Sequence, residues 1–324
     1  MNELDTIKNP VRDHLAEFEK KFRASMKSSV PLLDIITRYI LKRKGKQIRP
    51  LLVFLTADLC GKVTDSTHNA AAMIELLHTA TLVHDDVVDD SYKRRGFFSI
   101  NALWKNKVAV LVGDYLLSKG LLLSLDNDEF ELLKILSGAT RDMSEGELLQ
   151  IEKARRLDIR EEIYFEIIRK KTASLIACCC ASGALSSGAG KEVVEKFKHF
   201  GENLGMAFQI KDDLFDYQSS NMTGKPPGLD IREKKMTLPL IYTLGKSSFI
   251  TKRRIINIVK NHGKNKEKVK WVIDMVRESG GVDYAREMMT GYHKKAVELL
   301  MEFEENDTRT ALMQLADYTI NRNK

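Results

Sequence analysis

An acidic triplet set into a long apolar segment, and met twice, is the strongest constraint on how this chain can fold. Leu82-Val-His-Asp-Asp-Val-Val-Asp-Asp90 carries Asp85, Asp86 and Asp89. On a helix Asp85 and Asp89 lie one turn apart on one face. Like charges at that spacing raise one another's pKa and strain the helix, so a partly buried array calls for a cation. Oxygen-only ligation selects a hard ion such as Mg²⁺, which takes one or two carboxylates and completes its shell with water and phosphate oxygens. One array alone is more often a solvated helix end. Phe208-Gln-Ile-Lys-Asp-Asp-Leu-Phe-Asp-Tyr217 repeats the spacing in Asp212, Asp213 and Asp216. Two helices facing across a cleft would cage several divalent ions and a polyphosphate.

The rest of the sequence favours an all-α fold. Its six prolines, in 324 residues, fall near the ends of periodic segments, and alternating β-branched runs with hairpin turns are scarce. No composition shift or Gly/Ser-rich linker divides the chain, which reads as a single domain over 1–324. The net charge of +7 admits anionic partners, but interleaved acids and the absence of an aromatic-basic readout motif argue against nucleic acid. Cys60 and Cys178-Cys-Cys180 lack metal spacing and read as small reduced core residues. The charged stretch from Met1 to Phe22 has no signal-peptide core, and no uninterrupted apolar span suffices to cross a bilayer, so a cytoplasmic protein is expected.

Amphipathic helices are expected over 5–25 and 30–43, then 50–60 and 68–91. The last is apolar almost all round and therefore central. Between them, Gly45-Lys-Gln-Ile-Arg-Pro50 places Lys46 and Arg49 beside a helix start, where they could hold a phosphate. Glu75 and His78 have the Glu-x-x-His spacing of di-iron bundles, but no other histidine follows a glutamate by three residues, so that reading is set aside. Arg94 and Arg95 follow the first array, either neutralising it or binding diphosphate. Further helices are read at 101–124, with Asp114 as a buried acid, and at 129–155, where Glu147 and Gln150 could face the cleft. Lys170-Lys-Thr172 interrupts an apolar helix from Tyr164 to Gly190, where a bound anion would offset the burial cost. After the second array, a turn-rich loop reads as a flap bringing Lys225 and Lys235 over the site. The remainder is helical, broken near Ser279-Gly-Gly281.

In order and spacing these residues resemble the trans-type polyprenyl diphosphate synthases. The anchors are Gly-Lys-x-x-Arg-Pro at 45–50, Asp-Asp-x-x-Asp with Arg-Arg-Gly at 85–96, Gly-Asp-Tyr-Leu-Leu at 113–117, Lys-Thr at 171–172, Phe-Gln-x-x-Asp-Asp-x-x-Asp at 208–216 and Lys-x-Thr-Leu-Pro at 235–239. The chain departs from the family at Phe97-Phe-Ser99, where relatives often have proline and threonine, and at Gly45, where two glycines are common. The resemblance implies a single-domain helical bundle around a large central cavity, normally a homodimer. It implies that Asp85, Asp89 and Asp212 bind Mg²⁺, three ions when the allylic diphosphate is present, with Asp86, Asp213 and Asp216 in support. Lys46, Arg49, His78 and Arg95 would hold isopentenyl diphosphate. Arg94, Lys171, Lys225 and Lys235 would hold the allylic partner, with Thr172 and Gln209 near the reacting carbons.

The implied reaction ionises an allylic diphosphate, joins it to isopentenyl diphosphate and loses a proton, with at most peripheral membrane contact for product release. Side chains one and two turns before Asp85, namely Thr81, Ala80 and Leu77, would line the path of the growing chain. In the family, bulky aromatics there stop growth early, and Ala80 and Thr81 are small. A product of about C30 to C40 is therefore expected, with farnesyl or geranylgeranyl diphosphate as the shorter alternative. A cyclase would carry a different second metal motif, and a silent partner subunit would have lost carboxylates that are whole here.

Overall fold

The computed structural model describes residues 3–42, 45–94, 96–157, 160–218 and 227–322. The helices are α1 (Glu3–Ile7), α2 (Arg12–Ser25), α3 (Pro31–Lys42), α4 (Ile48–Cys60), α5 (Asp65–Val88), α6 (Ile100–Asp126), α7 (Phe130–Arg156) and α8 (Glu161–Ile168). They continue with α9 (Ser174–Ser186), α10 (Lys191–Phe215), α11 (Leu229–Arg232), α12 (Leu238–Lys246), α13 (Phe249–Asn261), α14 (Lys266–Glu278), α15 (Gly281–Leu300) and α16 (Asp307–Asn321). The all-α expectation holds. Among the described residues the one sheet is a two-residue hairpin, β1 (Lys93–Arg94) antiparallel to β2 (Phe97–Phe98), turning at Gly96 with φ +82°. It uses the Phe-Phe stretch that departs from the family pattern.

The chain forms two compact units, one from Met1–Ser137, Cys178–Phe197 and Glu305–Leu312, the other from Gly138–Ala177, Lys198–Glu304 and Met313–Lys324. In the first, α5 packs against α2, α4 and α6. It starts at Asp65, three residues before the expected start, because Thr64 and Thr67 form a reciprocal capping box that satisfies the first free N–H groups. Helix α4 is buried continuously from Pro50 to Ala57. The small-residue run permits a close approach to it: a Cβ on Gly183 would lie 2.4 Å from the Val53 carbonyl oxygen. Cys178, Cys179 and Cys180 are buried free thiols, and burial pushes Cys178 up to about 12.

Helix α6 departs from two expectations. It is long and apolar enough, by length and composition, to cross a membrane. The reading from uninterrupted apolar runs missed this because Asp114 and Lys119 divide its leucines. Here it packs along α5 and leaves Val110, Leu111, Leu121, Leu122 and Leu125 exposed. Asp114 is exposed, not buried; the constrained residue is Gly113, whose Cβ would fall 2.1 Å from His84 Nε2.

The second unit is built on a core that includes Tyr164, Ala173, Ile210, Leu214, Leu238, Ile255, Val272 and Ala285. The segment expected as one helix from Tyr164 is broken by a π-helical turn at Arg169–Ala173.

Candidate active site

The first array closes α5. Asp85 lies in the last turn and Asp89 is the C-cap, its N–H donating to the Asp85 carbonyl at 2.8 Å. The helical relation of these two survives, with both side chains facing solvent. Asp86 is 2% exposed and belongs to the interior. Its carbonyl accepts from Asn101 Nδ2 at 3.0 Å and from the Ser91 N–H at 2.9 Å, which ties the array to the start of α6. A helix C-terminus carries the negative end of the dipole. Ionised carboxylates there are opposed both by one another and by the backbone, which is a standing demand for cations.

Arg49 sits in the first turn of α4, where the dipole disfavours a cation. Glu75 Oε1 accepts from its Nε at 2.7 Å, and both side chains are largely buried. Glu75 is therefore the partner that positions Arg49, a role its spacing to His78 did not suggest. Lys46 is exposed just before it in the chain, followed by a left-handed Gln47 at φ +56°. His78 is half-buried on α5, and its carbonyl accepts from the Thr81 hydroxyl at 3.0 Å. Leu77 and Ala80 are buried. Ala80 packs with Leu76, Val83, Val112 and Leu116, while Thr81 is half-buried. Arg94 lies on β1; Arg95 and Lys225 lie outside the described residues.

The second array closes α10 and is wired internally. Tyr164 donates to Asp213 Oδ2 at 2.8 Å, Gln209 Nε2 donates to Asp213 Oδ1 at 2.9 Å, and Thr172 donates to Gln209 Oε1 at 2.7 Å. Burial, with Asp230 adding to it, pushes the Asp213 carboxyl up to about 7 against the pull of Gln209 and Tyr164. Asp216 is also buried. Its Oδ1 accepts from the Leu229 N–H at 2.6 Å and its Oδ2 from the Asp230 N–H at 3.2 Å. Asp216 thus anchors the first residues of α11, which lies within the segment expected as a flap. Asp212 keeps a partly exposed carboxylate, and Oδ1 accepts from Arg322 Nη2. The Arg322 guanidinium lies 4.1 Å over the Phe208 ring and 5.4 Å from that of Phe215. Nothing in the spacing of the motifs marks this residue near the end of the chain.

Lys171 and Thr172 sit on the π turn, where wider coils recur at functional sites. Lys171 Nζ pairs with Glu147 and donates to Gln150 Oε1 at 3.3 Å. Glu147 and Gln150 therefore hold a lysine rather than standing alone. Lys235 Nζ meets Glu233 at 2.6 Å and Asp230 at 3.8 Å. The lysines of this unit are presented on carboxylates that an anion could replace.

Residues 30–276 match the Polyprenyl synthetase family. An all-trans-nonaprenyl-diphosphate synthase (geranyl-diphosphate specific) from Rhodobacter capsulatus is 36% identical over 97% of this chain and 96% of its own length. A short chain isoprenyl diphosphate synthase from Methanothermobacter thermautotrophicus is 35% identical over 94% of this chain and 95% of its own. The crystal structure of a decaprenyl diphosphate synthase from Rhodobacter capsulatus superposes with a TM-score of 0.93 at 32% identity, covering 99% of each chain. With its acidic arrays at helix ends and its presented lysines, this chain belongs to the polyprenyl synthetase family and is a trans-polyprenyl diphosphate synthase.

Proposed function

We propose that the enzyme condenses isopentenyl diphosphate with an allylic diphosphate in a Mg²⁺-dependent reaction, repeating until an all-trans product of about C30 to C40 is made. The observation that carries this reading is that each acidic array sits at the C-terminus of a long helix with carboxylates that solvent reaches: Asp85 and Asp89 exposed on α5, Asp212 partly exposed on α10. Their donors are carboxylate oxygens, which fits Mg²⁺ held by one or two carboxylates and completed by water and phosphate. When bound, Mg²⁺ neutralises charge on the departing diphosphate, and three ions are the count we assign.

The allylic C–O bond breaks with its electron pair leaving on diphosphate. The isopentenyl double bond supplies the pair for the new C–C bond, and loss of a proton restores an alkene. Arg94, Lys171, Lys225 and Lys235 bind the allylic diphosphate; Lys46, Arg49, His78 and Arg95 bind isopentenyl diphosphate. Preset cationic groups of this kind stabilise charge as it develops, without reorganising. Thr172 and Gln209, fixed by the bonds that end at Asp213, sit beside the reacting carbons. Asp86, Asp213 and Asp216 hold the arrays in place from the interior.

The match to one family description runs through both compact units, which supports reading the chain as one functional domain. The exposed leucines of α6 support a homodimer, and we place the enzyme in the cytoplasm, touching membrane only to release product. Purified protein given Mg²⁺ and both diphosphates should yield elongated product by mass spectrometry. No product from any allylic starter would refute the reading.

For chain length, Thr81 is the informative position, because Ala80 is packed among core residues and a phenylalanine there would also cost about 1–3 kcal/mol in overpacking. Thr81→Phe should shift the product by two or more isoprene units toward shorter chains. An unchanged product distribution would remove Thr81 from the path. The shorter-chain reading, favoured by the methanogen relative, is separated by the same wild-type product mass.

Arg322 has its own consequence. Its guanidinium neutralises Asp212, so it competes with any cation there. Arg322→Gln should lower the Mg²⁺ concentration for half-maximal rate by about tenfold, the loss of one charge-assisted contact of about 1.4 kcal/mol. An unchanged Mg²⁺ dependence would show that Arg322 does not guard Asp212.

A further inference from the structure

At the opposite end of α5 from the first array, three potential metal ligands converge. His14 and Glu17 lie three residues apart on one face of α2, and His68 projects from the first turn of α5. One ligand atom from each lies within 4.8 Å of the others. From His68 to Asp85 is about 25 Å along α5 at the helical rise, so this cluster is separate from the first acidic array.

The two imidazoles are held in place by aromatic contact. His14 stacks on Phe54 with ring centroids 6.1 Å apart, and His68 meets the same ring edge-on at 4.9 Å. The two histidine rings are themselves 5.9 Å apart. His68 is 7% exposed, and its Nδ1 has no hydrogen-bond partner. Its Nε2 meets Glu17 Oε2 only at 3.8 Å, too far for a hydrogen bond. The 3.8 Å gap is close to the separation of about 3.4 Å between two ligand atoms that share a tetrahedral zinc ion.

We propose that His14, Glu17 and His68 form a Zn²⁺-type transition-metal site that clamps α2 to α5. Two imidazole nitrogens and one carboxylate oxygen make a borderline donor set that suits zinc and not magnesium. Water fills the remaining position. Metal binding takes the neutral form of both rings. Lys21 is the opposing group. Its Nζ lies 2.8 Å from Glu17 Oε1 and 3.4 Å from Asp65 Oδ1. It thus engages the carboxylate oxygen that does not face His68, leaving Oε2 for the metal but weakening the site by its charge.

The test uses the untagged full chain stripped of transition metals, with excess Mg²⁺ present to fill the carboxylate arrays. Co²⁺ is the optical probe and Zn²⁺ the competitor. One Co²⁺ per chain should give visible d–d absorption that Zn²⁺ abolishes, and Zn²⁺ alone should raise the melting temperature. His14→Ala and Glu17→Gln should each weaken binding by more than the roughly tenfold that losing a ligand's supporting partner costs. Lys21→Met should tighten it severalfold, which a purely structural ion pair between Lys21 and Glu17 does not predict. His68→Ala removes a buried side chain and can impair folding, so the half-exposed Glu17 carries the decision. Absence of the absorption band, or a band and melting shift unaltered in both Glu17→Gln and His14→Ala, would overturn the assignment.

Discussion

Asp85→Ala should lower the rate of isopentenyl incorporation by about a thousandfold or more while the protein melts at the same temperature or slightly higher. The two halves of that result have one cause. Asp85 is an exposed acid in the last turn of α5, beside Asp89 and against the negative end of the helix dipole. Removing a charge so placed relieves repulsion of about 0.3–1 kcal/mol in the free protein. In the reaction we propose, the same carboxylate would help hold the Mg²⁺ that takes up charge from the leaving diphosphate. Loss of one preorganised electrostatic partner costs about a hundred- to a thousandfold, and the loss here extends to a metal. Asp86→Ala should behave differently: it is 2% exposed, so its replacement should lower the melting temperature along with the rate. Rates and melting curves on the two variants decide the matter. Asp85→Ala activity within tenfold of wild type, or a loss that follows unfolding, would contradict the role given to this array.

What the sequence made legible is what local spacing encodes. The recurrence of Asp-Asp-x-x-Asp after apolar helical runs located both helix ends, and the scarcity of strand patterns fixed the helical class. Pairings between distant residues were not legible, since Arg49 and Glu75 meet across 26 positions and Asp212 meets Arg322 across 110. Glu75 had an available motif, Glu-x-x-His, whose spacing carried no information about its partner on α4. The wiring of the second array was equally hidden. Asp212, Asp213 and Asp216 read as equivalent carboxylates, yet burial gives Asp213 to Tyr164 and Gln209, gives Asp216 to the N–H groups of α11, and leaves Asp212 partly exposed. The π turn left no trace in hydrophobic periodicity either, because one wide turn shifts the apolar stripe by a single residue. Only the lysine-threonine pair within an apolar run hinted that this helix was not regular.

That turn gives the sharpest mechanical expectation. Gly146 on α7 is buried against it, and a Cβ there would stand 2.8 Å from the Lys171 backbone nitrogen and 2.8 Å from Lys170 Cβ. A backbone nitrogen cannot swing aside as a side-chain tip can, so Gly146→Ala must part α7 from the turn. The flanking pairs, Lys170 with Glu145 at 2.9 Å and Lys171 with Glu147, pull against that separation. On the far side the turn has no slack, since a Cβ on Gly205 would lie 2.5 Å from Ala173 Cα. Overpacking costs about 1–3 kcal/mol, offset in part by the gain of about 1 kcal/mol when alanine replaces glycine in a helix. The stability change is therefore modest, but Lys171 and Thr172 move. A displacement near 1 Å can cost about a hundredfold in rate, and it should appear in kcat/KM for the allylic diphosphate far more than in the KM for isopentenyl diphosphate. Gly138→Ala, on the same helix with open space around its Cβ position, is the control: it should stabilise by about 1 kcal/mol and leave both constants alone. If Gly146→Ala and Gly138→Ala proved kinetically alike, the π turn would lose its claim to position the allylic diphosphate.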